Sequence, residues 1–399
     1  MKILYIHQYF KTPKQYGATR SYWISQSLIA KGHKVTMLCS DPLGEIQKGI
    51  ERVHVDGIDV IYIKVPYDQK MSVFRRLLAF IIFMFRSARV AFQEKNVDLV
   101  FASSVPLTIG FPALLLKKFK KIPYFFEVRN LWPEVPIQMG ALNNKLVKKI
   151  AIWFEKTIYK NALHIIALSP GIVEGVMKRN IPSSKISMIP NMSKIDNFGN
   201  RPPDFNIGDK YGLKKDSFKV IYFGAMGIAN GLNYIINAIE LLKNDQNIEF
   251  ILIGRGALRT SLEEKCKSMG LKNVCFLEGL PMKELSEIVN ICDVSLVTYS
   301  NIPVFETHSP NKLFDSFSAG KPVITNTPGW IKGLVTNNNC GLFANPEKSE
   351  DLVQQILFLK ENPEKCIQMG KNSRKLAETK FDKSILCEEI VNTIESISK

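Results

Sequence analysis

Lys219-Val-Ile-Tyr-Phe-Gly224, the amphipathic run from Leu232 to Leu242 and Glu249-Phe-Ile-Leu-Ile-Gly254 form a strand, a glycine turn, a helix, a second strand and a second glycine turn. A helix of that length between two strands implies a parallel sheet covered on both faces. The helix Leu258 to Met269 and strands at Val274 to Leu277, Val294 to Thr298 and Pro322 to Asn326 continue the alternation. Upstream, a Pro-, Asn- and Asp-rich stretch from Met188-Ile-Pro-Asn191 to about Asp216 lacks hydrophobic periodicity and reads as an interdomain linker. Before it the same alternation runs through strands at Lys2 to His7, Lys34 to Cys39, Ile58 to Val65, Leu99 to Ser103, Tyr124 to Val128 and His164 to Leu168. The class is therefore α/β, with two doubly wound Rossmann-like domains. They are expected over residues 1–200 and 201–380, and a C-terminal helix, 381–399, is expected to return toward the first. Ligands of such sheets sit at the carboxyl ends of the strands.

The 399 residues, 46% apolar, suffice for two cores of roughly 150 to 200 residues each. The formal net charge is +16, and residues 1–200 carry 29 Lys and Arg against 13 Asp and Glu, leaving 24 against 24 for the rest. A basic half points to a phosphate-bearing surface, either anionic lipid or nucleic acid, with a merely solvated face as the plain alternative. Two segments favour lipid. Phe74 to Phe92 holds nine apolar residues bracketed by arginines, too short to span a bilayer, which needs about 20. It fits either a helix at a membrane interface or a buried domain helix. Leu114 to Lys121 and the basic helix Lys145 to Lys160 could join it in one basic apolar surface. Seven cysteines without a C-x-x-C pair read as reduced core thiols, and the strand that begins at Lys2 leaves no room for a leader, so a cytosolic setting is expected.

The candidate ligand site starts at Glu306-Thr-His-Ser-Pro-Asn-Lys-Leu-Phe-Asp315 and closes at Ala319-Gly320-Lys321-Pro322. Ser309-Pro310 reads as an N-cap followed by proline at the first helical position, which would turn free N–H groups, that of Asn311 among them, toward an anion. Lys312 and Asp315, three apart, share a helix face. The lysine can meet phosphate and the carboxylate can accept two ribose hydroxyls; an ordinary capped helix is the alternative. His308 lies inside the same motif. Gly224-Ala-Met-Gly227 with Asn230-Gly231, and Gly254-Arg255-Gly256, each follow a strand directly, where backbone amides can approach a pyrophosphate. Arg255 adds a guanidinium. Neither turn fits the dinucleotide fingerprint and no P-loop appears. In the first half, Gln15-Tyr-Gly-Ala-Thr-Arg20 and Glu127-Val-Arg-Asn-Leu-Trp-Pro-Glu134 belong at the sheet's carboxyl edge. Gly17, Arg20 and Arg129 are the candidates there for an acceptor's phosphates or for negative charge developing on a donor, an ion pair between domains being the structural alternative.

These segments together resemble the family 4 glycosyltransferases of the GT-B fold, close to bacterial enzymes that build O-antigen and capsule oligosaccharides on a polyprenyl lipid. The resemblance covers nearly the whole length. It rests on Phe126 to Glu134, Leu168-Ser-Pro-Gly171, Ile189-Pro-Asn191, Gly224 to Gly231 and Ser309 to Pro322. The most similar subgroup includes enzymes described as L-fucosamine transferases. The family implies two domains facing across a cleft, a nucleotide sugar held by the second, an acceptor on the first, and transfer with retention, without metal or cofactor. For this chain it implies a UDP-sugar donor, a lipid-linked saccharide acceptor and work at the inner face of the cytoplasmic membrane, with no nucleic acid.

By motif match, Asp315 replaces the glutamate that binds ribose, the backbone at Leu280 takes the base, Glu306 to His308 fill the first-glutamate region, and Arg129 stands where many relatives have histidine. Lys312 and Arg255 would hold the leaving diphosphate. Three departures stand out. Glu306 and Asp315 have eight residues between them where relatives have seven; Ala225 and Asn230 replace an arginine and a lysine common in relatives; and Lys194 stands where the subgroup often has aspartate. A nucleotide-sugar epimerase of the same architecture, or a non-catalytic basic protein binding membrane or nucleic acid, are the competing readings.

Overall fold

The computed structural model describes residues 1–41, 46, 49–65, 71, 73–199 and 204–398. Contacts divide them into two compact units. The first holds Met1–Thr12, Gly17–Pro190 and Ser384–Lys399; the second holds Pro13–Tyr16 and Asn191–Lys383.

The first unit carries β1 (Lys2–Ile6), β2 (Lys34–Asp41), β3 (Ile50–Val55), β4 (Ile58–Lys64), β5 (Leu99–Ser103), β6 (Tyr124–Val128), β7 (His164–Ala167) and β8 (Ile186–Met188). They form one sheet in the order β3-β4-β2-β1-β5-β6-β7-β8. Its helices are α1 (Arg20–Ala30), α2 (Val73–Gln93), α3 (Gly110–Lys120), α4 (Glu134–Gln138), α5 (Lys145–Asn161) and α6 (Pro170–Met177). The segment read as Phe74 to Phe92 is thus α2. It packs on α3, and α3 packs on α5.

One pairing departs from the parallel pattern, since β3 runs antiparallel to β4. Asp56 and Gly57 take φ of 49° and 83°, and positive φ at both central positions makes the tight hairpin turn that Asp-Gly favours. The sequence reading passed over β3 because Ile50-Glu-Arg-Val-His-Val55 is an edge strand without an apolar run; its residues alternate between exposed and half-buried.

The second unit carries α7 (Asn206–Lys210), β9 (Phe218–Phe223), α8 (Leu232–Leu241), β10 (Ile248–Ile253), α9 (Arg259–Ser268), β11 (Val274–Leu277), α10 (Met282–Ile291) and β12 (Val294–Val297). It continues with α11 (Asn311–Ser318), β13 (Val323–Thr325), α12 (Trp330–Asn337), β14 (Gly341–Phe343), α13 (Ser349–Glu361) and α14 (Pro363–Leu376). The strands pair in parallel in the order β11-β10-β9-β12-β13-β14. Side chains of a strand point alternately to opposite faces, and the core shows it. Val220, Tyr222, Phe250 and Leu252 pack with α8 and α13, whereas Ile221, Phe223, Ile251 and Ile253 pack with α10. Both faces of β9 and β10 are therefore buried, as a doubly wound sheet requires.

The last helix, α15 (Lys383–Ile397), belongs mostly to the first unit. Glu395 bonds His33 at 2.9 Å and Glu388 reaches Lys31 at 3.5 Å. All seven cysteines are free, and six are buried.

Candidate active site

In the second unit three loops leave the carboxyl ends of neighbouring strands: β9 runs into Gly224, β10 into Gly254-Arg255-Gly256 and β12 into Thr298-Tyr299. The first two clasp each other through backbone, Met226 N donating to Arg255 O at 2.8 Å and Leu258 N to Met226 O at 3.0 Å. A Cβ on Gly254 would stand 1.8 Å from the Gly224 carbonyl oxygen, so the approach is open to glycine alone. Thr298 Oγ1 donates to Asn230 O at 2.9 Å, tying the third loop to the first.

Lys312, from the first turn of α11, ends among these loops. Its ammonium lies 4.0 Å from the Tyr222 ring centroid and 5.7 Å from that of Tyr299, and it donates to Asn230 Oδ1 at 3.5 Å. Among the described residues no carboxylate forms an ion pair with it, and burial lowers its pKa to about 7. A buried ammonium held by two ring faces and one amide oxygen has the charge and the spare N–H donors to meet an anion. Asn230 occupies the position where the family resemblance has lysine, so Lys312 brings a cation from another element to the place where that lysine is missing.

Asp315, one helical turn along, is also buried, and its Oδ1 accepts from Lys194 Nζ. Burial raises its pKa and the Lys194 ammonium opposes the rise, leaving the carboxyl above its usual value. The segment carrying Lys194 straps α11: Asn191 N donates to Ser309 Oγ at 3.1 Å, Ser193 Oγ to Phe314 O at 3.0 Å and Lys194 N to Ser318 Oγ at 2.9 Å. This strap explains a correction. Ser309 does not cap α11, which begins at Asn311 with Pro310 before it, because its hydroxyl is engaged by Asn191.

His308 packs between Tyr299 and Phe305, with ring centroids 5.1 and 5.0 Å away. Burial lowers its pKa to about 4, so it is neutral at physiological pH, and its buried Nε2 has no hydrogen-bond partner among the described residues. Glu306 lies in a short 3-10 turn, with its Oε2 3.5 Å from the point where a Cβ on Gly329 would sit. Arg255 is exposed and pairs with exposed Glu278 at 3.1 Å. Leu280 is buried beside Met282 and Ile288 of α10.

In the first unit the carboxyl ends of β1, β5 and β6 gather a different set. Arg20 donates from Nε to Glu127 Oε1 at 2.8 Å, from Nη2 to Ile189 O at 3.1 Å and from Nη1 to Pro190 O. With Arg20 1% and Glu127 0% exposed, the pair is enclosed. Burial pushes the Glu127 carboxyl up, but Arg20, Arg129 and Ser103 outweigh it and hold the carboxyl below its usual range. Three of the five N–H groups of Arg20 are thus engaged inside the unit, where it acts as a strut.

Arg129 is half-buried and bonds His7 Nε2 at 3.0 Å. A guanidinium only donates, so Nε2 accepts and the proton sits on Nδ1, which donates to Ser21 Oγ at 2.9 Å. His7 is neutral, its pKa pushed well down by burial and then by Arg129. Gly17, at φ 131°, lies in the loop before α1, with room for a Cβ only 3.3 Å from Lys11 Cγ.

The structure thus brings Gly224, Asn230 and Lys312 together, and Asp315 with Lys194. Sequence reasoning missed the partners Tyr222, Tyr299, Lys194 and Glu127. Lys194 had been marked only as a departure, and nothing local in Met192-Ser-Lys194 announces an ion pair 121 residues away.

Two family descriptions cover most of the chain: "Glycosyl transferase 4-like domain" matches residues 17–192 and "Glycosyl transferases group 1" residues 204–376. A probable glycosyltransferase, WbjE of Pseudomonas aeruginosa, is 25% identical over 67% of this chain and 67% of its own length. Further curated relatives are matched over 60 to 66% of their length. An N,N'-diacetylbacillosaminyl-diphospho-undecaprenol alpha-1,3-N-acetylgalactosaminyltransferase of Campylobacter jejuni is 21% identical over 86% of this chain and 93% of its own. Among solved structures, a sucrose-phosphate synthase from Thermosynechococcus elongatus superposes with a TM-score of 0.79 at 17% identity, covering 99% of this chain and 98% of that one. Anabaena Alr3699/HepE, crystallised with UDP and glucose, gives 0.72 at 17%, covering 99% and 100%. With each half matched by its own family description and the same two-sheet architecture, the chain belongs to the family 4 glycosyltransferases of the GT-B fold.

Proposed function

We propose that this protein is a retaining, metal-independent glycosyltransferase. It moves a sugar, most simply an N-acetylated amino sugar such as N-acetyl-L-fucosamine, from a UDP-sugar to a polyprenyl-diphosphate-linked saccharide in bacterial surface polysaccharide synthesis. The reading places it in the cytoplasm, at the inner face of the cytoplasmic membrane. The observation that carries it is Lys312, a buried ammonium at the mouth of two glycine loops with no carboxylate partner among the described residues. A diphosphate is the anion suited to that place, since neighbouring backbone amides and a lysine can share its charge. The complex of HepE with UDP and the undecaprenol-linked acceptor of the Campylobacter relative support the donor and acceptor classes.

In this mechanism the second unit holds the diphosphate through Lys312, assisted by Arg255, and Asp315 receives the ribose. A leaving diphosphate oxygen takes the acceptor hydroxyl's proton as the new glycosidic bond forms on the face the diphosphate leaves. Stabilising the charge that develops on that group would supply most of the acceleration.

Calorimetric titration with UDP-, GDP- and TDP-sugars, followed by transfer assays on a polyprenyl-diphosphate saccharide, tests it. UDP-sugar binding that Lys312→Met weakens, with glycoside formed only when acceptor is present, is the expected result. A new nucleotide sugar formed without acceptor would establish the epimerase instead.

A further inference from the structure

Where β1, β5 and β6 end, the first unit holds a guanidinium that no carboxylate pairs. Glu127 acts electrostatically on both Arg20 and Arg129, but its bonds go to Arg20 Nε and to the Ser103 hydroxyl. Glu389 of α15 lies within range of Arg20. Among the described residues Arg129 makes no ion pair, and its one side-chain hydrogen bond goes to neutral His7 at 3.0 Å. Burial lowers the Arg129 pKa and Glu127 offsets part of the shift. Taking a guanidinium out of water costs free energy that an anion bonded to it would return.

Arg129 is held from both ends. Its amide donates to Ser104 Oγ at 3.1 Å, and Ser104 N donates to Glu127 O at 3.0 Å, which fixes the backbone. At the other end His7 Nε2 accepts from Nη1, a role open to it because its proton lies on Nδ1 and bonds Ser21 Oγ at 2.9 Å. His7 is 2% and Ser21 1% exposed, so the anchor is part of the core. Arg129 itself is half-buried, and its Nε and Nη2 have no partner among the described residues and are open to solvent. A planar fork with free donors, fixed at one nitrogen, is suited to a phosphate or a carboxylate.

The choice of anion rests on the proposed function, whereas the existence of the site does not. In that function the donor's diphosphate is met by Lys312 and Arg255 of the second unit. The acceptor carries a diphosphate of its own, and in the first unit the charge of Arg20 is already met by Glu127. We propose that Arg129, held by His7 and Ser21, is an anion site of the first unit that takes a phosphate of the acceptor's diphosphate, with His7 as its positioning residue. A carboxylate on the acceptor saccharide has related chemistry, and the test separates the two.

The full chain is titrated calorimetrically with citronellyl diphosphate N-acetylglucosamine, with octyl N-acetylglucosaminide and with octyl glucuronide. The diphosphate probe should bind about 10-fold or more tightly than either of the others. Arg129→Gln should weaken it about 10- to 150-fold, the worth of a charged hydrogen bond, and Arg129→Lys by less, with UDP affinity unchanged in both. His7→Phe should weaken it about 3- to 10-fold, the worth of a neutral hydrogen bond. His7→Gln, whose amide oxygen can still accept from Arg129, should restore most of that loss. In the wild type, phenylglyoxal labelling of Arg129, read by mass spectrometry, should slow with the diphosphate probe and not with octyl N-acetylglucosaminide, a readout that depends on no variant's folding. Binding indifferent to Arg129→Gln, or labelling that the diphosphate probe leaves unchanged, overturns the proposal. So does octyl glucuronide binding as tightly as the diphosphate probe, which would assign the site to a saccharide carboxylate. Loss of UDP affinity in Arg129→Gln would assign Arg129 to the donor and overturn it too. A wild type that fails to bind UDP but binds the diphosphate probe through Arg129 would remove the proposed donor and uphold this site.

Discussion

Two buried cationic groups at the ends of strands, one in each unit, have opposite circumstances. Arg20 is enclosed with Glu127 and two backbone carbonyls, so its charge is balanced where it lies. Lys312 is nearly as buried but faces aromatic rings and an amide oxygen. A balanced buried charge holds a fold together only while both partners remain; an unbalanced one is destabilising until an anion arrives. The first arrangement is architecture and the second, in the proposed function, is where an anionic ligand binds, although both appear in the sequence as a basic residue near a helix start.

Removing a partner should separate the two most strongly. Glu127→Ala leaves Arg20 buried and unpaired, and is expected to lower the first unit's stability by about 3–5 kcal/mol. Urea unfolding followed by tryptophan fluorescence suits this, since Trp23, Trp132 and Trp153 lie in that unit; a loss below about 1 kcal/mol would refute the strut. Lys194→Met should have a comparable effect in the second unit, by stranding Asp315. Lys312→Met should do the reverse, keeping or raising stability while weakening UDP-sugar binding about 10- to 150-fold, the worth of a charged hydrogen bond. Destabilisation instead would class Lys312 with Arg20.

Titration sharpens the contrast. The folded pKa of Glu127 lies below its unfolded value of about 4.3. Its contribution is therefore present above that value and is lost as pH falls through the folded pKa. Lys312, at about 7 when folded, lies below its unfolded value of about 10.4, so the unfolded chain holds more protons between the two and stability rises with pH across that window. Urea midpoints should therefore climb in two steps, with Glu127→Gln removing the acid step and Lys312→Met the alkaline one. An anion beside Lys312 favours its charged form, so UDP-sugar affinity should fall as pH rises above about 7. Calorimetry above that pH should show proton uptake on binding, absent in Lys312→Met. The smallest effect belongs to the exposed Arg255–Glu278 pair. Arg255→Ala should change stability by less than about 0.5 kcal/mol while slowing transfer about 10-fold, the latter measured as kcat.

Much of the fold was legible before any coordinates. Long apolar strands such as Val220 to Phe223 carry their own signal because both faces are buried, and the helices between them compel parallel pairing. Short or edge strands carried little: β3 alternates half-exposed polar residues, and β8 and β14 have three residues each. The apparent linker after Pro190 looked structureless because Asn191, Ser193 and Lys194 bond to α11, far along the chain, and the helix α7 within it has only five residues.

Residue type and spacing were enough to establish two α/β halves, the glycine turns at strand ends, the Ser309-to-Pro322 motif and a basic first half, because those properties are local and periodic. They could not establish which charges are paired. Arg20 with Glu127 and Lys194 with Asp315 are separated by 107 and 121 residues, and a charge's state in a protein depends on burial and on what lies within a few ångströms, neither of which is a property of the neighbouring sequence. Folding paired Arg20 with Glu127, set Lys312 against Tyr222 and Tyr299, and placed Leu146, Ile150 and Trp153 of α5 in one layer with α2 and α3.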